Sequence, residues 1–383
     1  MTEWREYKLK DILEPNGYIR GPFGSSLKRG ELKNEGIPVY EQEHAIKGTR
    51  QFRYYIDQNK FNELKRFCVR TGDIIISCSG TVGELSVIQE EDPKGIISQA
   101  LLILRANRNI AYQPYLKYFF LSPDGKNSII SRSDGSVQVN IAKREIIENI
   151  VLHLPPLPEQ KAIAEVLSSL DDKIDLLTRQ NKTLEDLAQT YFRKWFVETE
   201  VQTGRLDSIA EIIMGQSPKG DSYNEDGLGT VFFQGRAEFG WRFPTVRLYT
   251  TSPQRMAKKG DILMSVRAPV GDINIAAEDC CIGRGLAAIR SKYPTFTLYA
   301  IKEQQDQLDI FNGEGTVFGS ITKDGLSSLS IPMPDKKRIQ EFEDRFSILD
   351  EKIKENSNQI LTLQKLRDTL LPKLISGEVR VKI

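Results

Sequence analysis

Residues 72–83 read GDIIISCSGTVG and residues 260–271 read GDILMSVRAPVG, so Gly72, Asp73, Ser77, Val82 and Gly83 recur as Gly260, Asp261, Ser265, Val270 and Gly271, at an offset of 188. Each copy is a Gly-Asp turn feeding a short apolar run of β type, which reads as a core strand. A second pair, ISQALLILR (97–105) and IGRGLAAIR (282–290), repeats at an offset of 185. A third joins GSVQVNI (135–141) to GTVFGSI (315–321). The segment LAQTYFRKW (187–195) returns as LRDTLLPKL (366–374) at an offset of 179, so the repeat unit is a globular part plus a helix. Solenoids repeat every roughly 20 to 50 residues; this period is far longer and marks a duplicated module. Pseudo-two-fold symmetry suits a two-fold target, of which duplex DNA is the commonest.

At 383 residues the chain is too long for one ordinary core, and two globular units with connecting helices are expected. The proline clusters Leu154-Pro-Pro-Leu-Pro158 and Ile331-Pro-Met-Pro334 stop a strand and lead into a helix. The boundaries expected are 1–154, a helical segment 155–200, a second globular part 201–331 and a second helical segment 332–383. The fold class is α/β (α+β), with mixed strands and helices in each globular part. Net charge is +1, which argues against non-specific polyanion binding by overall field. Residues 1–154 hold 22 basic against 19 acidic residues, +3, and residues 201–331 hold 14 against 15, −1. Nucleic-acid affinity would therefore come from local patches or partner subunits. Cys68, Cys78, Cys280 and Cys281 lack C-x-x-C spacing and the histidines are His44 and His153, so no metal site is expected. The N-terminus MTEWREYKLK lacks an apolar signal core, no run is long enough to span a membrane, and a cytoplasmic location with reduced thiols follows.

Two helices carry apolar seams advancing by alternating steps of four and three, the pattern of a coiled coil about 50 Å long. The first holds Ile163, Leu167, Leu170, Ile174, Leu177, Asn181, Leu184, Ala188, Tyr191 and Trp195. The second holds Phe342, Phe346, Leu349, Ile353, Asn356, Ile360, Leu363, Arg367 and Leu370. An asparagine buried against leucine leaves its amide unpaired, so Asn181 is expected opposite Asn356 in an antiparallel pair. Partners then sum to 537: Leu177 faces Ile360, Ile174 faces Leu363, Leu184 faces Ile353 and Ala188 faces Leu349. Leu170 meets Arg367, whose stem would snorkel outward.

Catalytic motifs are absent from the sequence: no phosphate-binding glycine loop, no G-x-G-x-x-G after a strand, no H-E-x-x-H and no G-x-S-x-G. His44 is expected at the surface and His153 as a structural residue. Asp73 and Asp261 read as turn residues chosen for local hydrogen bonds. Polar turns suit base reading, because Arg, Gln, Asn and Ser offer paired donors and acceptors to base edges. In the first part the candidates are Arg20, Ser25, Ser26, Lys28, Gln42, His44, Ser79, Thr81, Gln138 and Asn140. In the second they are Gln216, Ser217, Gln234, Arg236, Arg267, Thr316 and Ser320. Arg53 is a phosphate candidate within a looser basic stretch, Lys47, Arg50, Arg53, Lys60, Lys65, Arg66 and Arg70, interleaved with aromatics.

The order of a globular part, the helix start PPLPEQKAIAEVL (155–167), a second globular part and the start IPMPDKKRIQEF (331–342), with GDI strands in both parts, resembles the specificity subunit of type I restriction-modification systems. The resemblance covers nearly the whole chain. WREYKLKDI (4–12) and SDGSVQVNI (133–141) are similar to that family too. The second helix departs from the pattern, with PMPDKK in place of PLPEQ and three more residues before Leu349-Asp350. The resemblance implies two target recognition domains, each reading half of a bipartite, asymmetric duplex DNA site, with the helices as an antiparallel spacer. It implies no catalytic centre and no cofactor in this chain. It further implies two methyltransferase subunits that methylate adenine with S-adenosylmethionine, and restriction subunits that translocate and cleave DNA with ATP and Mg. The rival readings are a non-catalytic scaffold whose duplicated domains bind protein, and an enzyme with an unrecognised site.

Overall fold

The computed structural model describes residues 4–22, 26–131, 140–199, 201–312 and 319–382. The chain divides into two compact units, Met1–Leu176 with Ile360–Ile383, and Leu177–Gln359. In the first, β1 (Arg5–Lys8), β2 (Leu13–Arg20), β3 (Ile37–Tyr40), α1 (Gln42–Ile46), β4 (Ile74–Ser77), β5 (Leu85–Val87), β6 (Ile96–Ile97), β7 (Leu101–Ala106), α2 (Gln113–Leu121) and β8 (Val151–Leu154) lead into α3 (Leu157–Phe192). Strands β2-β7-β4-β5 form an antiparallel sheet in that order. A smaller sheet pairs β3 with β6 in parallel and with Tyr55–Ile56 antiparallel. β4 is buried along its whole length because it has a core on each face. Ile74 and Ile76 pack with Leu102, Leu104 and Tyr118, while Ile75 packs with Val39, Ile96 and Ile103. A strand covered on both sides reads as a continuous apolar run, which is why IIIS shows no polar alternation.

The second unit repeats this plan with β9 (Thr203–Arg205), β10 (Ala210–Met214), β11 (Thr230–Phe233), β12 (Ile262–Ser265), β13 (Ile273–Ile275), β14 (Cys280–Ile282), β15 (Leu286–Ser291), α4 (Pro294–Lys302), β16 (Ser330–Pro332) and α5 (Lys336–Ser376). Strands β10-β15-β12-β13 match β2-β7-β4-β5, β11 pairs in parallel with β14, and β9 pairs with β16 as β1 does with β8. Ile262 and Met264 face one core and Leu263 the other. The second repeated stretch proves to be two strands in different sheets, with turns at 98–100 and 283–285 between them.

Both long helices run through both units, and each unit pairs its own stretch of them. In the second unit Asn181 and Asn356 are each 2% exposed. Asn356 Nδ2 donates to Asn181 Oδ1 at 2.9 Å and to Gln180 Oε1 at 3.0 Å, and Asn181 Nδ2 donates to Ser357 Oγ at 3.3 Å. Tyr191 with Phe346 and Trp195 with Phe342, at ring separations of 5.3 and 6.0 Å, keep the same sum of 537. Leu177, Ala188 and Ile353 are buried there, and Leu184 and Leu349 half-buried. A π-helical turn, Arg193–Val197, ends the first helix. Phe192 and Phe196 pack there with Phe296 and Phe342 in the globular core, a role the seam pattern does not mark.

In the first unit Ile174 is buried, and Leu170, Ile360 and Leu363 are half-buried. Glu159 and Gln160, of the PPLPEQ stretch, are buried. Glu159 forms a two-pronged ion pair with Arg380, and Gln160 braces the backbone of Tyr112, Ile110 and Pro155. Arg367 is not simply released to solvent: its Nη1 meets Asp171 Oδ1 at 3.0 Å, and Asp171 also accepts from Tyr118 Oη at 2.7 Å. Burial alone raises the Asp171 carboxyl, but Tyr118, Arg367 and Lys117 outweigh it and hold the group below the ordinary aspartate range.

Asn181→Leu alone should cost about 1–3 kcal/mol, because Asn356 loses a partner while buried. Asn181→Leu with Asn356→Leu should be neutral or more stable than the unaltered chain in a denaturant titration. Since the folded value of Asp171 is depressed, its contribution is present above the unfolded value of about 3.9 and is lost as pH falls through the folded one. Asp171→Asn should therefore lower stability at pH 7, with the gap closing below about pH 4; an equal loss at both pH values would refute this sign.

Candidate nucleic-acid interface

The repeated residues make the same bonds in both units. Arg105 closes on Asp73 with Nε and Nη2 at 2.7 and 2.8 Å, and Arg290 on Asp261 at 3.1 and 2.8 Å. The amides of Arg70 and Lys258 donate to the same carboxylates at 2.8 and 2.7 Å. Burial pushes the Asp73 carboxyl up, against the pull of Arg105. At the other end of the strand Ser77 Oγ donates to Thr81 O at 2.6 Å and accepts from Glu84 N at 3.0 Å; Ser265 does the same with Pro269 O at 2.7 Å and Asp272 N at 2.9 Å. Gly83 and Gly271, at φ of 85° and 98°, return an amide to the Ser77 and Ser265 carbonyls.

This frame gathers the candidate loops of the first unit around the 98–100 turn. Gly21 N donates to Leu101 O, Cys78 N to Ala100 O, and Ile141 N to Cys78 O. A Cβ on Gly21 would lie 1.9 Å from Ser98 O, so only glycine lets the end of β2 approach this turn. Arg20 is half-buried, Ser79 is tied to the Gln42 amide, and Thr81 is exposed. Burial pushes the Cys78 thiol up to about 12, with Arg20 acting the other way. Ser26 and Lys28 are exposed, as is Arg53, whose guanidinium lies 4.6 Å from the Tyr54 ring. Ser25, Gln138 and Thr316 fall outside the described residues, and of Asn140 only the backbone is described.

In the second unit Gly215 N donates to Leu286 O, Gln216 N to Ile282 O, Gly285 N to Gln234 O and Val266 N to Gly285 O. Arg284 N donates to Ser217 Oγ at 3.3 Å. Arg267 bridges to Ser320 through backbone. Gln216, Gln234, Arg267 and Ser320 are exposed around the 283–285 turn, whereas Arg236 is ion-paired to Asp272. Two residues absent from the sequence-derived set sit in the turns themselves. Gln99 and Arg284, 185 positions apart, are both exposed. Their signal was a long polar side chain between small residues inside an apolar run, in both copies.

His44 needs correction. It is fully buried, accepts from Glu41 N at Nδ1 (2.7 Å), donates from Nε2 to Gln51 O (3.0 Å) and stacks on Phe52 at 4.6 Å. It fastens α1 and is neither a surface residue nor a base-reading one. His153 is exposed, 3.6 Å from Glu6. The basic stretch also divides: Arg50 pairs with Asp92, and Lys60 with Glu31 and Glu63.

The family model of the type I restriction modification DNA specificity domain matches residues 1–186 and again 198–363. The chain belongs to that family. It is 30% identical to the putative type I restriction enzyme MjaX specificity subunit of Methanocaldococcus jannaschii, over 99% of this chain and 94% of that protein. It is 21% identical to the EcoBI specificity subunit of Escherichia coli, over 93% and 83%. The crystal structure of the type I restriction-modification S subunit from M. genitalium shares the fold, with a TM-score of 0.64 at 17% identity, covering 98% of this chain and 99% of that one. None of the described helices is long and apolar enough to cross a membrane.

Removing one partner of a buried pair strands a charge. Arg105→Met should cost about 3 kcal/mol or more, and Arg290→Met less, since Arg290 is 31% exposed against 10% for Arg105. Denaturant midpoints of the two variants, compared side by side, check the order.

Proposed function

We propose that the chain is the DNA-sequence-reading subunit of a type I restriction-modification complex, each unit reading one half of a bipartite, asymmetric duplex target. The observation that carries this is one frame built twice, displaying a different polar set at the same end of each central sheet. The first set is Gln42, Ser79, Thr81 and Gln99, and the second is Gln216, Ser217, Gln234, Arg267 and Arg284. Such side chains suit hydrogen bonding to base edges in the major groove, and two unlike sets suit two unlike half-sites. The paired helices set the distance between the half-sites and seat two methyltransferase subunits. Leu176, Leu187, Ile348 and Leu361 stand exposed on those helices and are the apolar contacts a partner would cover.

In this reading the chain holds no catalytic centre. Adenine N6 is methylated by the methyltransferase subunits with S-adenosylmethionine, and ATP and Mg serve restriction and translocation subunits. The complex acts in the cytoplasm, with the four cysteines as free thiols.

Methylated adenines mapped genome-wide, with and without this gene, should reveal one bipartite motif that disappears with the gene. Exchanging residues 1–154 for another recognition domain should change one half of that motif and preserve the other. Alteration of both halves, or methyl transfer by the purified chain alone, would sink the proposal.

A further inference from the structure

Arg20, Arg66, Arg70, Arg105 and Arg144 line one groove of about 910 Å³ along β2 in the first unit, with Tyr18, Ile19 and Phe67 among its walls. Glu14 is the only acidic residue in that lining. Arg105 is occupied by Asp73, and Arg144, with its side chain 61% exposed, shares its charge with Glu148 at 2.7 Å. Arg70 is 3.9 Å from Glu14 with its own side chain 67% exposed. Arg66 lies 4.4 Å from the Phe67 ring, and among the described residues it meets no carboxylate. Arg20 aside, four guanidinium groups thus face three carboxylates, an excess of one positive charge among the described residues.

The arginines are also held in place. Arg66 and Arg144 lie over the rings of Phe67 and Tyr18, at 4.4 and 5.0 Å, which limits the orientation of each planar fork. β2 is an edge strand, and a register shift between Leu13 and Tyr18, with Asn16 at φ 60°, bends it beside the groove. Arginine forks match phosphate oxygens in pairs, and the groove follows a strand of eight residues, roughly 25 Å long, room for several phosphates. The second unit keeps only part of this set: Arg290 and Lys258 stand where Arg105 and Arg70 do, but Ile19-Arg20-Gly21 becomes Ile213-Met214-Gly215, and Lys143-Arg144 becomes Lys323-Asp324.

Arg20 belongs both to the groove and to the strand end where the candidate loops gather. We infer that the groove holds the phosphodiester backbone of duplex DNA beside the half-site read by the first unit. That unit then carries the larger share of sequence-independent affinity. The inference rests on the reading proposed above and adds where the backbone lies and which unit holds it.

The test uses the full chain, copurified with its methyltransferase partner, and duplexes carrying the motif found by methylation mapping. Arg66→Gln and Arg70→Gln change exposed side chains and should leave thermal unfolding unaltered. Each should lower the slope of log affinity against log salt by about 0.9. For the double variant the advantage of the unaltered complex should shrink roughly tenfold between about 50 and 200 mM salt. Preference among base substitutions in both half-sites should stay as it was. Lys10→Gln, exposed and outside the groove, removes the same charge and should leave the slope unchanged. An unaltered slope in the arginine variants, an equal change in the lysine variant, or a shifted base preference overturns the groove assignment. If the unaltered complex itself shows no preference for its motif, the sequence-reading proposal fails instead.

Discussion

An aspartate held by an arginine and a backbone amide fixes where each central strand begins. β4 and β12 are covered on both faces, so their side chains are all consumed by packing and none projects to contact a ligand. Asp73 and Asp261 lock the strand to its neighbour by gripping Arg105 and Arg290 across the sheet. With one end held, the alternation of side chains fixes the register, since a slip of one residue would exchange the two cores. The far end is therefore set too, and the Ser-Gly turn there closes by hydrogen bonds that ask little of the intervening residues. Loops of different length and chemistry can hang from that point without disturbing the core, which is how one frame carries two unlike polar sets.

Those parts of the fold that depend on local chemistry or on period were legible in the sequence. The Gly-Asp turns, the doubly buried strands and the proline stops each announce themselves within a few residues. Pairing of Asn181 with Asn356 was legible for a different reason: two amides interrupt two long apolar seams, and a buried amide needs a partner. What resisted reading depends on chain segments returning from elsewhere. His44 is buried because Gln51 and Phe52 fold back over it, and nothing beside it in the sequence marks that return. Phe192 and Phe196 leave the seam because a π turn rotates the end of the helix, a change of phase that a strict heptad count conceals. Gln99 and Arg284 were hidden inside strand-like runs, and their exposure follows from a turn that splits each run between two sheets.

The helices show how a repeated residue acquires different partners. Asp171 and Asp350 occupy matching positions, 179 apart, and each faces a tyrosine hydroxyl, Tyr118 at 2.7 Å and Tyr299 at 3.2 Å. In the first unit the arginine on this aspartate is Arg367, from the partner helix. In the second it is Arg242, from the loop that follows β11, and Arg242 also reaches Glu185 on the first helix at 2.9 Å. Arg242 is 3% exposed, and Lys302 joins the same cluster. Burial raises the Asp350 carboxyl and lowers the Lys302 ammonium, so these charges persist there only by holding one another.

That difference bears on how each unit holds its polar loop. The loop after β3 is fastened within its own globular part, by Arg50 on Asp92 and on the carbonyl of Val87. The loop after β11 starts at Gln234 and Arg236, is pinned at its beginning by Gly283 and Gly285, and ends on the helices through Arg242. A buried charge cluster tolerates little displacement, because moving one member strands the others in a low-dielectric site. Within the second unit, then, the position of the polar loop and the alignment of the helix pair are a single mechanical quantity. In the first unit the corresponding loop answers to its own sheet. The polar loop is thus held by its own sheet in the first unit and by the helices as well in the second.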